Sequence, residues 1–188
     1  MIRQQISVFL MAIGVALAVG GCTDRPPLAE PFPAAVGPYR LDAGDELRIV
    51  VYDQPSLTNL YKVDQSGTVA VPLIGDVEAR DATTDELAGR IEARLATAYL
   101  REPNVTVEVA TYRPFFVLGE VAAPGQYAYV PGITAETAVA VAGGFTDRAN
   151  KWTVRVSRTI NGALVEARIP VVEPIRPGDT IYVPESLF

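Results

Sequence analysis

Histidine is absent from the 188-residue chain. Because histidine is the side chain used most often as a general base near neutral pH and as a metal ligand, its absence excludes Ser-His-Asp sites, Cys-His sites and histidine-containing zinc sites. Cysteine occurs once, at Cys22, so the chain cannot form an intramolecular disulfide. A folded domain of this chain must therefore rely on its hydrophobic core for stability.

Positive charge is also scarce, because 16 lysine and arginine residues stand against 22 aspartate and glutamate residues and give a net charge of −6. Without a basic cluster, the sequence lacks the electrostatic pattern of nucleic-acid-binding proteins and the polybasic patch that binds anionic lipid. We therefore expect no nucleic-acid partner. The sequence also predicts no cofactor, no metal site and no catalytic residue.

The first 21 residues are typical of a secretory signal peptide. Arg3 supplies a positive start, and residues 6–21 are uncharged but short for a membrane span, which needs roughly 20 apolar residues. Cys22 directly follows Val-Gly-Gly, a pattern that resembles a bacterial lipobox and implies cleavage before Cys22 and lipid attachment there. Two alternatives stay open: a plain signal peptide with an unrelated cysteine, and an uncleaved inner-membrane anchor.

The segment that follows Cys22 predicts a lipid-anchored tether. In enterobacterial lipoproteins an aspartate directly after the cysteine retains the protein at the inner membrane, so Thr23 at this position implies the periplasmic face of the outer membrane. Five of the sixteen residues 23–38 are proline, which favours a semi-extended segment. Residues 22–38 are therefore predicted to hold a folded body away from the membrane.

Residues 39–112 form a first predicted folded block. Leu47–Tyr52 and Thr68–Leu73 are rich in β-branched residues and predict strands. Val105–Val109 alternates apolar and polar residues, as expected of a half-buried strand. A helix is predicted between these strands.

The predicted helix runs from Thr83 to Tyr99. Thr83 and Glu86 have the spacing of a capping box, in which each side chain satisfies a free backbone N–H group. Its apolar stripe at helical spacing consists of Leu87, Ala88, Ile91, Leu95, Ala98 and Tyr99. Pro103 lies just past its end.

The second predicted block, residues 113–188, is a strand-rich module with one helix across it. The helix is predicted from a cap at Thr134 to about Ala142, with Gly143 suited to the left-handed position after it. The predicted strands are Phe115–Leu118, Gln126–Val130, Trp152–Ser157, Leu164–Ile169 and Thr180–Val183. The predicted turns are Pro124–Gly125, Asn161–Gly162 and Pro177–Asp179. The two blocks predict an α+β fold of two small domains.

These motifs resemble, in order, a polysaccharide biosynthesis/export domain and a SLBB (soluble ligand-binding β-grasp) domain. The first resemblance rests on Tyr39–Tyr52, Val63–Val77, the Thr83 helix and Val105–Val109. The second rests on Val117–Tyr127, Ala142–Phe145 and Arg176–Pro184. The chain thus resembles the Wza-like outer-membrane polysaccharide exporters, with an export-type α/β domain followed by a β-grasp-like domain.

The resemblance implies a transport component of a capsule or exopolysaccharide export machine. It implies a homo-oligomeric ring that forms or lines a polysaccharide conduit. It also implies an inner-membrane polysaccharide co-polymerase, often linked to a tyrosine kinase, as partner. Long members cross the outer membrane with a barrel of carboxy-terminal helices, and this sequence ends at Phe188 without one. We therefore expect a separate outer-membrane channel as a further partner.

Two pairs of adjacent carboxylates, Asp45–Glu46 and Asp85–Glu86, raise the question of acid/base catalysis of glycoside hydrolysis. Asp45 lies in a Gly-Asp turn, and Asp85 and Glu86 lie in the first turn of a helix, where anions favour the dipole. A structural role is therefore predicted, and the chain is predicted not to be an enzyme. Gly178–Asp179 repeats the Gly-Asp turn, which we interpret as shared turn chemistry rather than a duplication.

Glu120, Tyr127 and Tyr129 are the candidates for contact with a glycan or with a neighbouring subunit. A carboxylate binds sugar hydroxyl groups well, but Glu120 would equally suit an arginine of the next subunit. Tyrosine rings stack on sugars, although aromatic residues of a small β domain more often belong to the core. Trp152 is a weaker candidate for the same reason.

Two rival functions are weighed against export. A non-oligomeric periplasmic module that binds a glycan or a protein would share the fold without forming a conduit. A glycan hydrolase is disfavoured by the absence of histidine and by the turn positions of the carboxylates.

Overall fold

The computed structural model describes Phe32, residues 38–160 and residues 162–186, with Ala98 described by its backbone alone. The predicted signal peptide, the lipidation site Cys22 and the tether other than Phe32 and Pro38 lie outside the described residues. Within the described part of the chain, no helix is both long enough and apolar enough to span a bilayer.

The first region contains five strands and one helix: β1 (Glu46–Val51), β2 (Asn59–Lys62), β3 (Thr68–Val71), β4 (Gly75–Glu78), α1 (Thr84–Ala98) and β5 (Val105–Thr111). An antiparallel sheet has the order β2-β1-β5, and β3 pairs with β4 as a separate hairpin. Alternate residues of β1, namely Leu47, Ile49 and Val51, are buried against the helix and the hairpin. The α+β prediction is thereby confirmed for this region.

Helix α1 begins and is oriented as its sequence predicts. Thr83 is the N-cap, and both hydrogen bonds of the capping box with Glu86 are formed. Leu87, Ile91 and Leu95 are fully buried, which stabilises the fold by about 1.5–3 kcal/mol for each side chain. The predicted stripe is wrong at Tyr99, which is the C-cap residue and is 52% exposed, because its backbone has left the helical conformation.

The second region contains five strands and one helix: β6 (Phe115–Gly119), β7 (Gly125–Tyr127), α2 (Ala135–Val141), β8 (Thr153–Ile160), β9 (Ala163–Pro170) and β10 (Thr180–Val183). They form a mixed sheet of order β7-β6-β10-β8-β9, in which β10 runs parallel to β6 and antiparallel to β8. One face of this sheet packs on α2 through a core that includes Phe115, Val139 and Ile181.

Helix α2 ends where the sequence predicts. Gly143 follows the C-cap Ala142 with a φ of +84°, a conformation that glycine adopts without steric cost. Gly162 in the β8–β9 hairpin also has a positive φ, +76°. Asn161 of the predicted hairpin turn lies outside the described residues.

The structure corrects the predicted turn at Pro124–Gly125. Gly125 is the first residue of β7, and this strand ends at Tyr127 rather than at Val130. The chain reverses earlier, where Gly119 has a φ of +86° and Val121 forms a bridge with Phe145. The proline therefore leads into a strand instead of forming the turn.

The predicted strand beginning at Trp152 is also corrected. Val154 and Val156 are buried as alternation predicts, but Trp152 precedes β8 and is 83% exposed. Its backbone N–H donates to Asn150 Oδ1 in the turn before the strand, at 2.9 Å. Trp152 is thus a turn residue and not a core residue.

Candidate functional site

Asp45 and Asp179 are buried aspartates that end two turns of the same geometry. Each carboxylate accepts a hydrogen bond from the backbone N–H three residues earlier, at 3.0 Å from Asp42 and 2.7 Å from Arg176. Each aspartate N–H donates back to the carbonyl of that residue, at 3.2 Å. The preceding glycines have φ values of +97° and +83°. The predicted shared turn chemistry is confirmed.

Asp179 binds Arg158 of β8 in a bidentate ion pair. Arg158 Nε lies 2.8 Å from Oδ1 and Nη2 lies 2.7 Å from Oδ2. Arg158 points to the interior because it shares the inward face of β8 with Val154 and Val156. Arg158 is 8% exposed and Asp179 is 0% exposed. Each charge has lost its hydration, so each is stabilised by the opposite charge of its partner. The guanidinium carbon Cζ of Arg158 lies over the ring of Phe32, 4.3 Å from the ring centroid. The same ring packs against the core of the second region.

Asp45 binds Arg113, which lies between the two regions. The Arg113 N–H donates to Oδ1 at 2.9 Å, and Nη1 donates to Oδ2 at 3.1 Å. The Tyr39 hydroxyl donates to Oδ2 at 2.7 Å and accepts from Arg113 Nη1 at 2.9 Å. Burial raises the pKa of Tyr39 well above its usual range.

Arg113 also contacts the second turn. A Cβ atom placed on Gly178 would lie 2.7 Å from Arg113 Nε, so the arginine passes directly over this glycine. The Gly178 N–H donates to the Pro114 carbonyl at 3.1 Å. Arg113 thus joins the Gly-Asp turn of the first region to that of the second.

A polar cleft of about 690 Å³ lies beside this junction. Two tyrosines, four arginines and three aspartates are among its lining residues: Tyr39, Tyr129, Arg40, Arg113, Arg158, Arg176, Asp42, Asp81 and Asp179. Tyr112 lies edge-on between the two tyrosine rings, with centroid distances of 5.0 Å to Tyr39 and 5.5 Å to Tyr129. The volume is in the range of sites that bind small molecules.

The structure separates the two tyrosines that the sequence singled out. Tyr129 lines the cleft, where its hydroxyl donates to the Ile175 carbonyl at 3.3 Å and burial raises its pKa. Tyr127 stacks on Phe115 at 6.0 Å and packs against the core of the second region. Of the two, Tyr129 is placed to meet a ligand of the cleft.

Glu120 lies outside the cleft and has partners within its own chain. Thr146 Oγ1 donates to one carboxylate oxygen at 2.5 Å, and Arg148 Nη2 donates to the other at 3.3 Å. These bonds lower the pKa of Glu120, the Thr146 hydrogen bond more than the Arg148 hydrogen bond. Arg148 also pairs with Glu185, at 3.4 Å.

Comparison with known proteins follows the two regions. Residues 33–110 match the family model of the polysaccharide biosynthesis/export protein, and residues 114–166 match that of the SLBB domain. The chain carries a polysaccharide biosynthesis/export domain followed by an SLBB domain. The resemblance drawn from the sequence motifs is confirmed, and so is the order of the two domains.

Relatives of this chain include exopolysaccharide proteins of two bacterial genera. It is 33% identical over 174 residues to the exopolysaccharide production protein ExoF of Rhizobium meliloti, which covers 79% of this chain and 41% of ExoF. It is 31% identical over 121 residues to the EPS I polysaccharide export outer membrane protein EpsA of Ralstonia nicotianae, which covers 51% of this chain and 32% of EpsA. The chain therefore spans less than half the length of these relatives.

Asp45 and Glu86, two of the carboxylates that suggested hydrolysis, have structural partners in this export domain. Glu86 completes the cap of α1, and Asp85 lies beside it in the first turn. Asp45 is enclosed by Tyr39 and Arg113. Among the described residues, no three acidic or cysteine side chains are grouped as metal ligands.

Replacing Thr146 with valine is expected to raise the pKa of Glu120 toward the usual range of a glutamate, because the Thr146 hydrogen bond is the largest cause that lowers it. Because folding lowers the pKa of Glu120, its ionised carboxylate stabilises the folded protein. This stabilisation is complete at a pH above the pKa of Glu120 in the unfolded chain, and it is lost as the pH falls through the lower pKa of the folded protein. A carbon-13 NMR titration of the Glu120 carboxyl measures the shift. Arg148→Gln, which removes both the hydrogen bond and the charge of the second partner, is the matched comparison, and an unchanged pKa of Glu120 in Thr146→Val would contradict the prediction.

Proposed function

We propose that the chain is a component of a machine that exports a capsule or exopolysaccharide. The observation that carries this proposal is the export domain followed by the SLBB domain over residues 33–166. The relatives from Ralstonia, named as outer membrane proteins of polysaccharide export, support a place at that membrane. The site of action in this proposal is the periplasmic face of the outer membrane.

The finer arrangement that we propose is a lipid anchor on Cys22 and a homo-oligomeric ring that lines a conduit. Domain limits at residues 39–112 and 113–188 belong to the same proposal. Its partners are the polymer, an inner-membrane co-polymerase that is kinase-linked in some systems, and a separate outer-membrane channel.

Transport without catalysis fits the chemistry of a moving polymer. Passage requires contacts that are favourable enough for entry and weak enough for release. The structural roles of Asp45 and Glu86 support this view, because both carboxylates are engaged in holding the fold. Incubation of the purified protein with polymer tests it, since shortening of the polymer would contradict it.

Deletion of the gene is expected to remove extracellular polymer, and wild-type protein is expected to restore it. Cys22→Ser is expected to restore it poorly and to move the protein from the membrane to the soluble periplasmic fraction, because each buried CH₂ of an acyl chain contributes about 0.8 kcal/mol. The measurements are polysaccharide assays of medium and periplasm, with immunoblots of cell fractions. Unchanged polymer in both compartments would contradict the export function.

A non-oligomeric glycan-binding module is a second candidate, favoured by the polar, tyrosine-lined cleft of about 690 Å³. The mass of the full protein in detergent distinguishes the two functions. A ring supports the conduit, whereas a monomer at micromolar concentration supports the binding module. The control is the same measurement after dilution, which separates a stable ring from association caused by concentration.

A further inference from the structure

Arg176 stands out among the cations of the cleft. It lies in the turn that leads to Asp179 and is half-buried. Its backbone N–H binds Asp179, but its guanidinium has no hydrogen bond or ion pair with any residue that the structure describes. A half-buried guanidinium has lost part of its hydration, and here it gains no direct hydrogen bond to an acidic side chain among these residues in return.

The other arginines of the cleft have acidic partners. Arg113 pairs with Asp45 at 3.1 Å, and Arg158 pairs with Asp179 at 2.7 Å. Arg40 lies 3.6 Å from a carboxylate oxygen of Glu86. Arg176 is therefore the cleft guanidinium that has no acidic hydrogen-bond partner among the described residues.

The surroundings of Arg176 disfavour its positive charge. Burial lowers its pKa most, and the neighbouring positive charge of Arg158 lowers it further, while the negative charge of Asp179 offsets part of this effect. An incoming anion would relieve both effects, because it would replace lost hydration and offset the repulsion between the two guanidinium groups. Arginine suits a carboxylate in particular, since its planar fork donates two parallel hydrogen bonds to the two oxygens.

The rest of the cleft suits a sugar. Tyr39 and Tyr129 line it with amphipathic rings, whose faces pack against the C–H groups of a pyranose. Asp81 also lines it, and its carboxylate has no hydrogen-bond partner among the described residues, so it is available to accept from a sugar hydroxyl. A free inorganic anion would use Arg176 but would gain nothing from the tyrosines or from Asp81.

We propose that this cleft binds an acidic sugar residue of the polymer, with its carboxylate on Arg176 and its ring against Tyr129. That the sugar belongs to an exported polymer rests on the proposed function. The binding itself does not rest on it. The site would hold one part of the chain transiently, as transport requires.

Titration of the full, lipid-bearing protein in detergent tests the proposal by NMR or calorimetry. The probes are tetragalacturonate and a hyaluronan tetrasaccharide, with maltotetraose as the neutral sugar and inorganic phosphate as the bare anion. We expect both acidic probes to bind at least tenfold more tightly than maltotetraose or phosphate. Arg176→Gln is expected to weaken the binding of the acidic probes at least tenfold, and Arg176→Lys less.

Arg168→Gln is the matched control, because Arg168 is exposed on β9 and is not among the cleft residues. Its binding is expected to equal that of the wild type. The thermal midpoint of each variant verifies that it is folded.

Three results would overturn the proposal: binding of neither acidic probe, equal binding of maltotetraose or phosphate, or unchanged binding in Arg176→Gln. If the acidic probes fail to bind while gene deletion still abolishes export, the cleft proposal fails and the export function stands. If the acidic probes bind but gene deletion leaves export unchanged, the cleft proposal stands and the export function fails.

Discussion

Replacing Asp179 with alanine is expected to lower the free energy of unfolding by about 3–5 kcal/mol, because removing one partner of a buried ion pair leaves the other charge uncompensated. Arg158 is 8% exposed and would lose both hydrogen bonds to the carboxylate. The Arg176 N–H would lose its acceptor in the same substitution. The substitution would therefore remove hydrogen bonds both from the turn before β10 and from the inward-facing Arg158 of β8.

Urea unfolding followed by circular dichroism measures this loss. Asp147→Ala is the control, since Asp147 is an exposed carboxylate of the same region, and we expect a change within about 0.5 kcal/mol. The double variant Arg158→Met/Asp179→Leu is expected to recover part of the lost stability, because an apolar pair of similar volume carries no desolvation cost, whereas the Arg176 N–H still lacks its acceptor. A loss below about 1 kcal/mol in Asp179→Ala would show that water or another group compensates Arg158.

Gly119→Ala is expected to destabilise the second region by at least about 3 kcal/mol, from steric overlap together with a left-handed backbone. A Cβ atom at this position would lie 2.2 Å from the Val183 carbonyl oxygen, and the φ of Gly119 is +86°. The same carbonyl accepts from the Glu120 N–H at 3.0 Å, where β6 leaves its parallel pairing with β10. Relief of the overlap would therefore pull apart the centre of the sheet.

Gly144→Ala separates the two contributions. Gly144 has a similar φ of +91°, but a Cβ there would have no neighbour within 4 Å. We expect this control to lose only about 1–2 kcal/mol, the cost of a left-handed non-glycine residue. Thermal unfolding of both variants gives the comparison, and equal losses would show that β10 shifts without cost to accommodate the methyl group.

Local signals in the sequence were sufficient for the helices and for most strands. The capping box at Thr83 and the buried spacing of Leu87, Ile91 and Leu95 depend on residues within one helix, so they are readable without the fold. Strands β2 and β4 were not predicted, because each places at most one side chain in the core and so has no apolar alternation. Their positions are set by pairing with β1 and β3.

The candidate site was less readable than the fold. Tyr129 was among the predicted contact residues, but Asp45 was interpreted as a turn residue alone. Asp45 and Arg113 are 68 residues apart, and Arg158 and Asp179 are 21 apart. Ion pairs at such separations leave no periodic pattern in the sequence. The repeated Gly-Asp turn was the available signal in the sequence. It predicts the two turns, but it does not predict which arginine pairs with each aspartate. The domain boundary between Tyr112 and Arg113 stays a prediction.

The contact of Phe32 with Arg158 has a mechanical consequence. Phe32 precedes the first region in the sequence but packs against the second, so the chain crosses between the regions twice, after Phe32 and again at Arg113. The Phe32 contact thus adds a noncovalent link between the regions to the covalent one before Arg113. A pull on the amino-terminal segment would therefore act on this contact with the second region before it reaches the first region.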